Sequence, residues 1–494
     1  MALTALLLWP IIGLAIFAAI GPVRGLIWAT MAGYLFLPEA IEFDLPALPP
    51  FDKTSSISLS LALGALVFRK RFPASEVRLG DPIFRRLMLG LLGAIFVLSL
   101  FTVVTNGNAI VIGGRVRPGL SIRDAISMSV EILILLTPLL LAWRYLNRPE
   151  HAKELCVALV AAGLCYTLLV LFEIRMSPQL NRWVYGYFQH SWLQHLRDGD
   201  FRPIVFLQHG LWVGFLLLSL AITAFSLSRD GGRRRLLFLG AGIWTLGVLS
   251  ISSNLGATLL AMIFCPAVLL MPRAILIRYA AIVSIAFLSY PALKYVSATP
   301  TEKVLELAER ISAERAQSFG VRVRNEKQLL DRALEKPLFG WGGWARARVF
   351  DENGRNISVT DGRWIIHVGE RGLLGYLAFF GFLALPVLRL ARTARRKDIP
   401  WPIVGLTLVS AANFIEMIPN SALTPVGLLF FGTLAAFVQY DTVAQTAAAK
   451  EAPARAGPRY TRFDISPPPS DAHSDNLDRE GDTPRRPDAL PYSR

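Results

Sequence analysis

The chain has 494 residues, of which 53% are hydrophobic and only 18% charged, with a mean hydropathy of +0.45. A water-soluble domain of this length does not carry so much apolar surface, which excludes a cytosolic globular enzyme. The formal net charge of +15 requires no nucleic-acid partner, because basic clusters flanking apolar runs are attracted to anionic lipid of the bilayer.

Apolar runs recur from the N-terminus to about residue 440, many of them near the ~20 residues needed to cross ~30 Å of hydrocarbon as helix. No ten-residue alternating pattern repeats, so helices are favoured over a barrel. The expected fold is all-α: a polytopic integral membrane helix bundle of about 12 or 13 spans, carrying a large helical loop on its outer face. The expected organisation is a membrane part over 1–293 with an outer loop at 176–203, a large loop at 294–363, C-terminal spans over 364–440 and a tail over 441–494.

In chain order the candidate spans begin with 2–20, 25–38 and 55–68, the last two short. Residues 2–20 lack the basic start and cleavage site of a leader and are read as a span. Next come 87–104, 126–143 and 155–172, then 204–227, 236–250, 255–272 and 275–293, and finally 364–390, 401–418 and 424–440. Cys156, Cys165 and Cys265 all lie in apolar runs, so no disulfide framework is implied. RKR at 69–71, RDGGRRR at 229–235 and RLARTARRK at 389–397 fall on one side by parity, the cytoplasmic side. That leaves 105–120, 176–203 and 294–363 outside. Arg115, Arg117 and Arg123 in GGRVRPGLSIRD then lie outside as well, as an anion site or as loop charges without a role.

The loop SPQLNRWVYGYFQHSWLQHLRDGDFRPIVFLQHG packs Trp183, Tyr185, Tyr187, Phe188 and Trp192 together, as an interfacial aromatic belt or as a platform for sugar rings. His190 and His195 are five apart and do not share a helical face, so no metal site is expected. Arg202 and Pro203 immediately precede the next span, and Gln208 and His209 are expected about one and a half turns inside it.

In 294–363, Thr299, Pro300 and Glu302 form a capping box ahead of Val304, Leu307 and Ile311 at helical spacing. A second helix, VRVRNEKQLLDRALEKP, stops at Pro337 and is followed by LFGWGGW, whose glycines allow a tight turn. Arg322 shares a stripe with Glu326, Leu329 and Ala333 and points inward, whereas Arg324 points elsewhere. The stretch SVTDGRWIIHVGERGLLGY crowds Asp361, Arg363, His367, Glu370 and Arg371 at the start of an apolar helix. The tail is rich in Pro, Ser, Asp and Arg and is expected to be disordered.

These features resemble the O-antigen ligase and polymerase family, polytopic enzymes of the bacterial inner membrane. Arg322 with PLFGWG at 337–342 matches the family's arginine, helix, P-x-x-G-x-G pattern. Asp361 with GLLG at 372–375 matches its closing motif, in which a His precedes G-x-x-G. Arg202 with Pro203 and LQHG, and SSNLGA at 252–257, are similar to two further elements. The resemblance implies transfer of glycan from an undecaprenyl-pyrophosphate donor to a glycan or lipid acceptor at the periplasmic face. It implies Arg202 and Arg322 on the pyrophosphate and Asp361 where the family carries its His, with His209, Arg324, Arg363, His367 and Glu370 as supporting candidates. The departure from His tilts the expectation towards a polymerase over a ligase. His367 does not substitute by spacing, being about 600° around an ideal helix from Asp361. For Asp361 the alternative is a helix N-cap.

Arginine suits this chemistry because it is always charged and grips phosphate with two parallel hydrogen bonds. A carboxylate can take the proton of the attacking hydroxyl. No cofactor or metal is expected, and no nucleotide-binding glycine loop is present. A transporter is the competing class, suggested by Glu131 in SVEILILL and Glu416 in NFIEMIPN within spans.

Overall fold

The structure, a computed structural model, describes residues 1–44, 49–72, 81–112, 114–197, 200–296, 313–394, 398–421 and 423–451. The expected capping box and helix over 299–311 lie outside the described residues, as does the tail beyond Glu451. Met1–Ala447 forms one compact unit, which holds everything below.

Each predicted span is a helix: α1 (Ala2–Ile20), α2 (Pro22–Phe36), α3 (Lys53–Val67), α4 (Pro82–Val104), α5 (Ile122–Tyr145), α6 (Pro149–Met176), α8 (Gly210–Arg229), α9 (Arg235–Ser250), α10 (Leu255–Leu270), α11 (Arg273–Tyr295), α13 (Arg363–Thr393), α14 (Trp401–Glu416) and α15 (Pro425–Glu451). Between them lie the short α7 (Leu180–Tyr185) and α12 (Ala313–Leu334), and two small hairpins, β1 (Ile110–Ile112) with β2 (Arg115–Arg117) and β3 (Leu196–Arg197) with β4 (Asp200–Phe201). Seven of the helices are long and apolar enough to cross a membrane by length and composition. The protein is therefore an all-α, membrane-type helix bundle.

Local chemistry fixes the helix starts. Proline opens α2, α4 and α6, where its missing N–H costs nothing. The Asp52 carboxylate caps α3 through the Ser55 N–H at 2.8 Å, and Ser121 with Asp124 forms a capping box on α5. Hydroxyls inside the spans, such as Thr30, Ser219 and Thr407, donate to the carbonyl four residues back, which pairs them within their own helix.

Burial separates centre from rim. In the most apolar window of α8, 89% of residues are buried, against 28% for α1 and α4. α8 packs on α6, α9, α10 and α14, and α14 also on α11. At one end of this core Arg229 donates to the carbonyls of Val268, Leu269 and Met271 and lies 4.1 Å over the Trp401 ring. The start of α8, the start of α10 and the end of α14 lie at the other end, with the start of α13.

Two breaks in regular structure shape that end. α8 begins at Gly210, not at 204 as the hydropathy suggests. Residues 202–209 are irregular, with Val205 at φ 52. Backbone groups within a membrane bundle must find protein partners, and here they do. The Glu173 carboxylate, fully buried on α6, accepts the N–H groups of Leu180, Ile204 and Val205 at 3.1, 2.9 and 2.7 Å. Tyr166 Oη accepts the Phe206 N–H, Lys53 Nζ donates to the Phe206 carbonyl, and Gln189 Nε2 donates to the carbonyls of Val205 and Leu207. Replacing Glu173 with Ala strands two buried donors and one part-buried one and should lower stability by about 3 kcal/mol, read by thermal unfolding in detergent.

The second break is in α13, where Gly372 (φ 69, ψ −179) interrupts the helix. The PLFGWG turn fills the gap. Leu373 N–H donates to the Pro337 carbonyl at 2.7 Å, while Trp341 and Gly342 N–H groups donate to the carbonyls of Gly369 and Glu370 at 2.8 and 2.9 Å. The two glycine motifs noticed in the sequence are thus two halves of one joint, and it fixes α12 against α13.

Candidate functional site: an arginine and carboxylate cluster at the bundle end

Arg322 leaves α12 on the face predicted for it. On the same stripe, Glu326 accepts from Trp364 Nε1 at 2.9 Å and pairs with Lys294 at 2.7 Å, and Leu329 and Ala333 are buried. Arg324 is exposed on another face. The Arg322 Nε lies 3.4 Å from Asp361 Oδ2, with side chains 39% and 38% exposed, so the pair is open to an incoming ligand. Asp361 is not an N-cap: Gly362 holds that position, and the Arg363 N–H is shared by the carbonyls of Met417 and Asn420 at 3.0 Å each.

Arg202 reaches the same region from the irregular segment before α8. It is buried, and its Nε and Nη2 donate to Asn254 Oδ1 at 3.0 and 2.7 Å. Asn254 is itself oriented by donating to the carbonyl and hydroxyl of Ser252. Gly210 sits against the Arg202 side chain so closely that a Cβ would fall 2.7 Å from its Cδ, which is why LQHG ends in glycine.

The two arginines share neighbours. The guanidiniums of Arg322 and Arg202 both act electrostatically on the Glu416 carboxylate, which is buried at the end of α14 and accepts from Asn420 Nδ2 at 2.7 Å. Both also act on His209. The arrangement offers two fixed cations, one half-exposed carboxylate and one buried carboxylate, suited to an anionic ligand beside a group that loses a proton.

Other sequence candidates lie deeper in α13. His367 is buried, with Nδ1 3.2 Å from the Arg363 carbonyl and its ring against Phe379 and Phe380. Glu370 interacts with Arg371 and Arg363, and Arg371 bonds Ser99 Oγ and lies 3.9 Å from Glu131. This is a charge network of the broken helix, with no described bond to Arg202, Arg322 or Asp361. Arg115 and Arg123 are exposed, and Arg117 lies over the Phe350 ring.

Three expectations need correction. His209 is not inside a span: it is the N-cap of α8, its Nδ1 accepting the Leu211 N–H at 3.1 Å, because the helix starts six residues late. The aromatic residues do not form one platform: Trp183 packs on Phe172 and Tyr185 on Phe206, while Phe188 and Trp192 pack together. The exclusion of a metal by helical spacing also fails. His190 and His195 are not on an α-helix, and His209 joins them, with one ligand atom of each within 4.8 Å of the others.

Sequence reasoning missed Asn254 as a partner of Arg202, although SSNLGA marked the turn, and assigned Glu416 to transport. No pattern in one sequence signals that these residues meet across separate helices. Comparison with protein-family models finds no match for this chain, and comparison with curated proteins finds none either.

Proposed function

We propose that this protein is a membrane glycosyltransferase of the bacterial inner membrane that uses an undecaprenyl-pyrophosphate-linked glycan as donor and works at the periplasmic face. The reading supported best is polymerisation of lipid-linked oligosaccharide units for O-antigen or exopolysaccharide. The observation that carries it is the Arg322–Asp361 pair, open to solvent, with Arg202 and Arg322 both in electrostatic reach of the Glu416 carboxylate.

The acceptor hydroxyl oxygen attacks the anomeric carbon of the donor. A new C–O bond forms, the bond from that carbon to the phosphate oxygen breaks, and the electron pair leaves with the lipid pyrophosphate. Arg202 and Arg322 hold the pyrophosphate and balance the charge that grows on it. Asp361 takes the hydroxyl proton, a contribution of about 10² to 10⁴ in rate. Asn254 keeps the Arg202 guanidinium aimed along one edge.

A strain lacking the protein tests this by gel analysis of its surface glycan. A polymerase predicts single units in place of chains, and a ligase predicts no glycan on the acceptor. Unchanged glycan eliminates both. The transporter reading is favoured by one observation, the charges Arg363, Glu370, Arg371 and Glu131 around the broken α13. Uptake by proteoliposomes containing the purified protein decides that reading.

A further inference from the structure

Three histidines from separate parts of the chain meet beside Arg202. His190 lies in the loop after α7, His195 ends a single 3-10 turn (Trp192–His195), and His209 caps α8. Their ring centroids are 4.7 Å apart for His190 and His209, and 5.3 Å for each of the other two pairs. The rings are tilted against one another by 52 to 76° instead of stacking, with one ligand atom of each within 4.8 Å of the others.

Such a cluster could be plain packing, or three imidazoles gathered for their nitrogens. Two features favour the second. Phe188 lies edge-on to His195 at 5.5 Å and covers one side of the cluster with an apolar ring. The His195 Nδ1 lies 3.0 Å from the Ser191 carbonyl, the contact that fixes the proton on Nδ1 and leaves Nε2 with its lone pair, as in metal-ligating histidines.

We infer that His190, His195 and His209 form a binding site for a borderline divalent transition metal of the Zn²⁺ class, with an open fourth position. Nitrogen donors suit Zn²⁺, Cu²⁺ and Ni²⁺, whereas Mg²⁺ and Ca²⁺ take oxygen. A tetrahedral ion with bonds of about 2.0–2.1 Å sets its nitrogens closer together than the 4.8 Å limit found here, so the side chains close in on binding. Closure has a cost: His190 Nδ1 accepts the Ser191 N–H at 2.8 Å and His209 Nδ1 accepts the Leu211 N–H at 3.1 Å. Each ring gives up that contact and shifts its tautomer as it ligates, with no net proton released. The bound ion ties the outer loop to the start of α8. Because the Arg202 N–H donates to the His195 carbonyl at 2.8 Å, it also fixes the backbone of Arg202. This inference does not depend on the glycan reading.

The test uses the full chain in detergent, purified through a tag without histidines. Zinc chloride is added, and bound metal is counted after dialysis. The expected result is about one Zn²⁺ per chain, a raised melting temperature, and at least tenfold weaker binding in His195→Ala and in His209→Ala. Cobalt(II) added to the wild-type protein should give the visible bands of a four-coordinate ion, a readout that no variant's folding can disturb. Absence of those bands, or zinc binding unchanged in folded variants, overturns the site.

Discussion

Arg322→Ala is expected to reduce formation of the glycan product by about 10²-fold or more, the scale seen when one preorganised group facing transition-state charge is removed. The same substitution should barely change stability. Arg322 and Asp361 are each more than a third exposed, and exposed pairs contribute only about 0–1 kcal/mol. Function and folding are therefore separable at this position. Asp361→Asn should behave likewise, since it keeps the shape and removes the proton acceptor. Product formation by membranes containing each variant, normalised to the amount of folded protein, checks both. Normal product from both variants ends the proposed chemistry. Arg202 is a poorer probe: it is buried and bonded to Asn254, so truncation leaves an unsatisfied acceptor and unfolds as well as inactivates.

Gly372→Val is expected to have the largest structural effect of any single change, with little folded protein recovered from the membrane. Gly372 has φ 69, and a Cβ there would fall 2.2 Å from the Leu338 carbonyl oxygen. A β-branched residue cannot adopt that backbone without strain, and the carbonyl cannot retreat, because it accepts from Leu374 N–H. Gly340 faces the same joint from the other side, a Cβ there meeting the Gly372 nitrogen at 2.5 Å. Gly340→Val should therefore give the same loss. By contrast Gly343→Ala, where a Cβ meets nothing within 4 Å, should be near neutral. Detergent-resistant folded yield by size-exclusion chromatography separates the three. Equal recovery of all three would remove the joint as a structural element.

Much of the architecture is legible along the chain. Hydrophobic runs located the helices, because the bilayer demands apolar length and the helix satisfies its own backbone bonds. Helical phase alone placed Arg322, Glu326, Leu329 and Ala333 on one face, since that periodicity is local. The start of α8 was not legible. Residues 204–209 are apolar enough to pass as helix, and what holds them irregular is Glu173, Lys53, Gln189 and Tyr166 from elsewhere in the chain. The three histidines escaped for a related reason: a spacing rule written for helices was applied to a loop and a 3-10 turn.

By itself, then, the sequence determined the fold class, the helix order and the inward aim of Arg322, all set by interactions between near neighbours and by the solvent. Only the tertiary structure decided that Arg202 is held by Asn254, that Glu416 joins the arginines, and that PLFGWG mends the break at Gly372. Those interactions join separate segments: Arg202 and Asn254 are 52 residues apart, Glu416 follows both arginines on another helix, and PLFGWG is a turn that docks on α13. Their physical cause is long-range: buried polar groups must find partners, and which partners are in reach depends on how the helices pack.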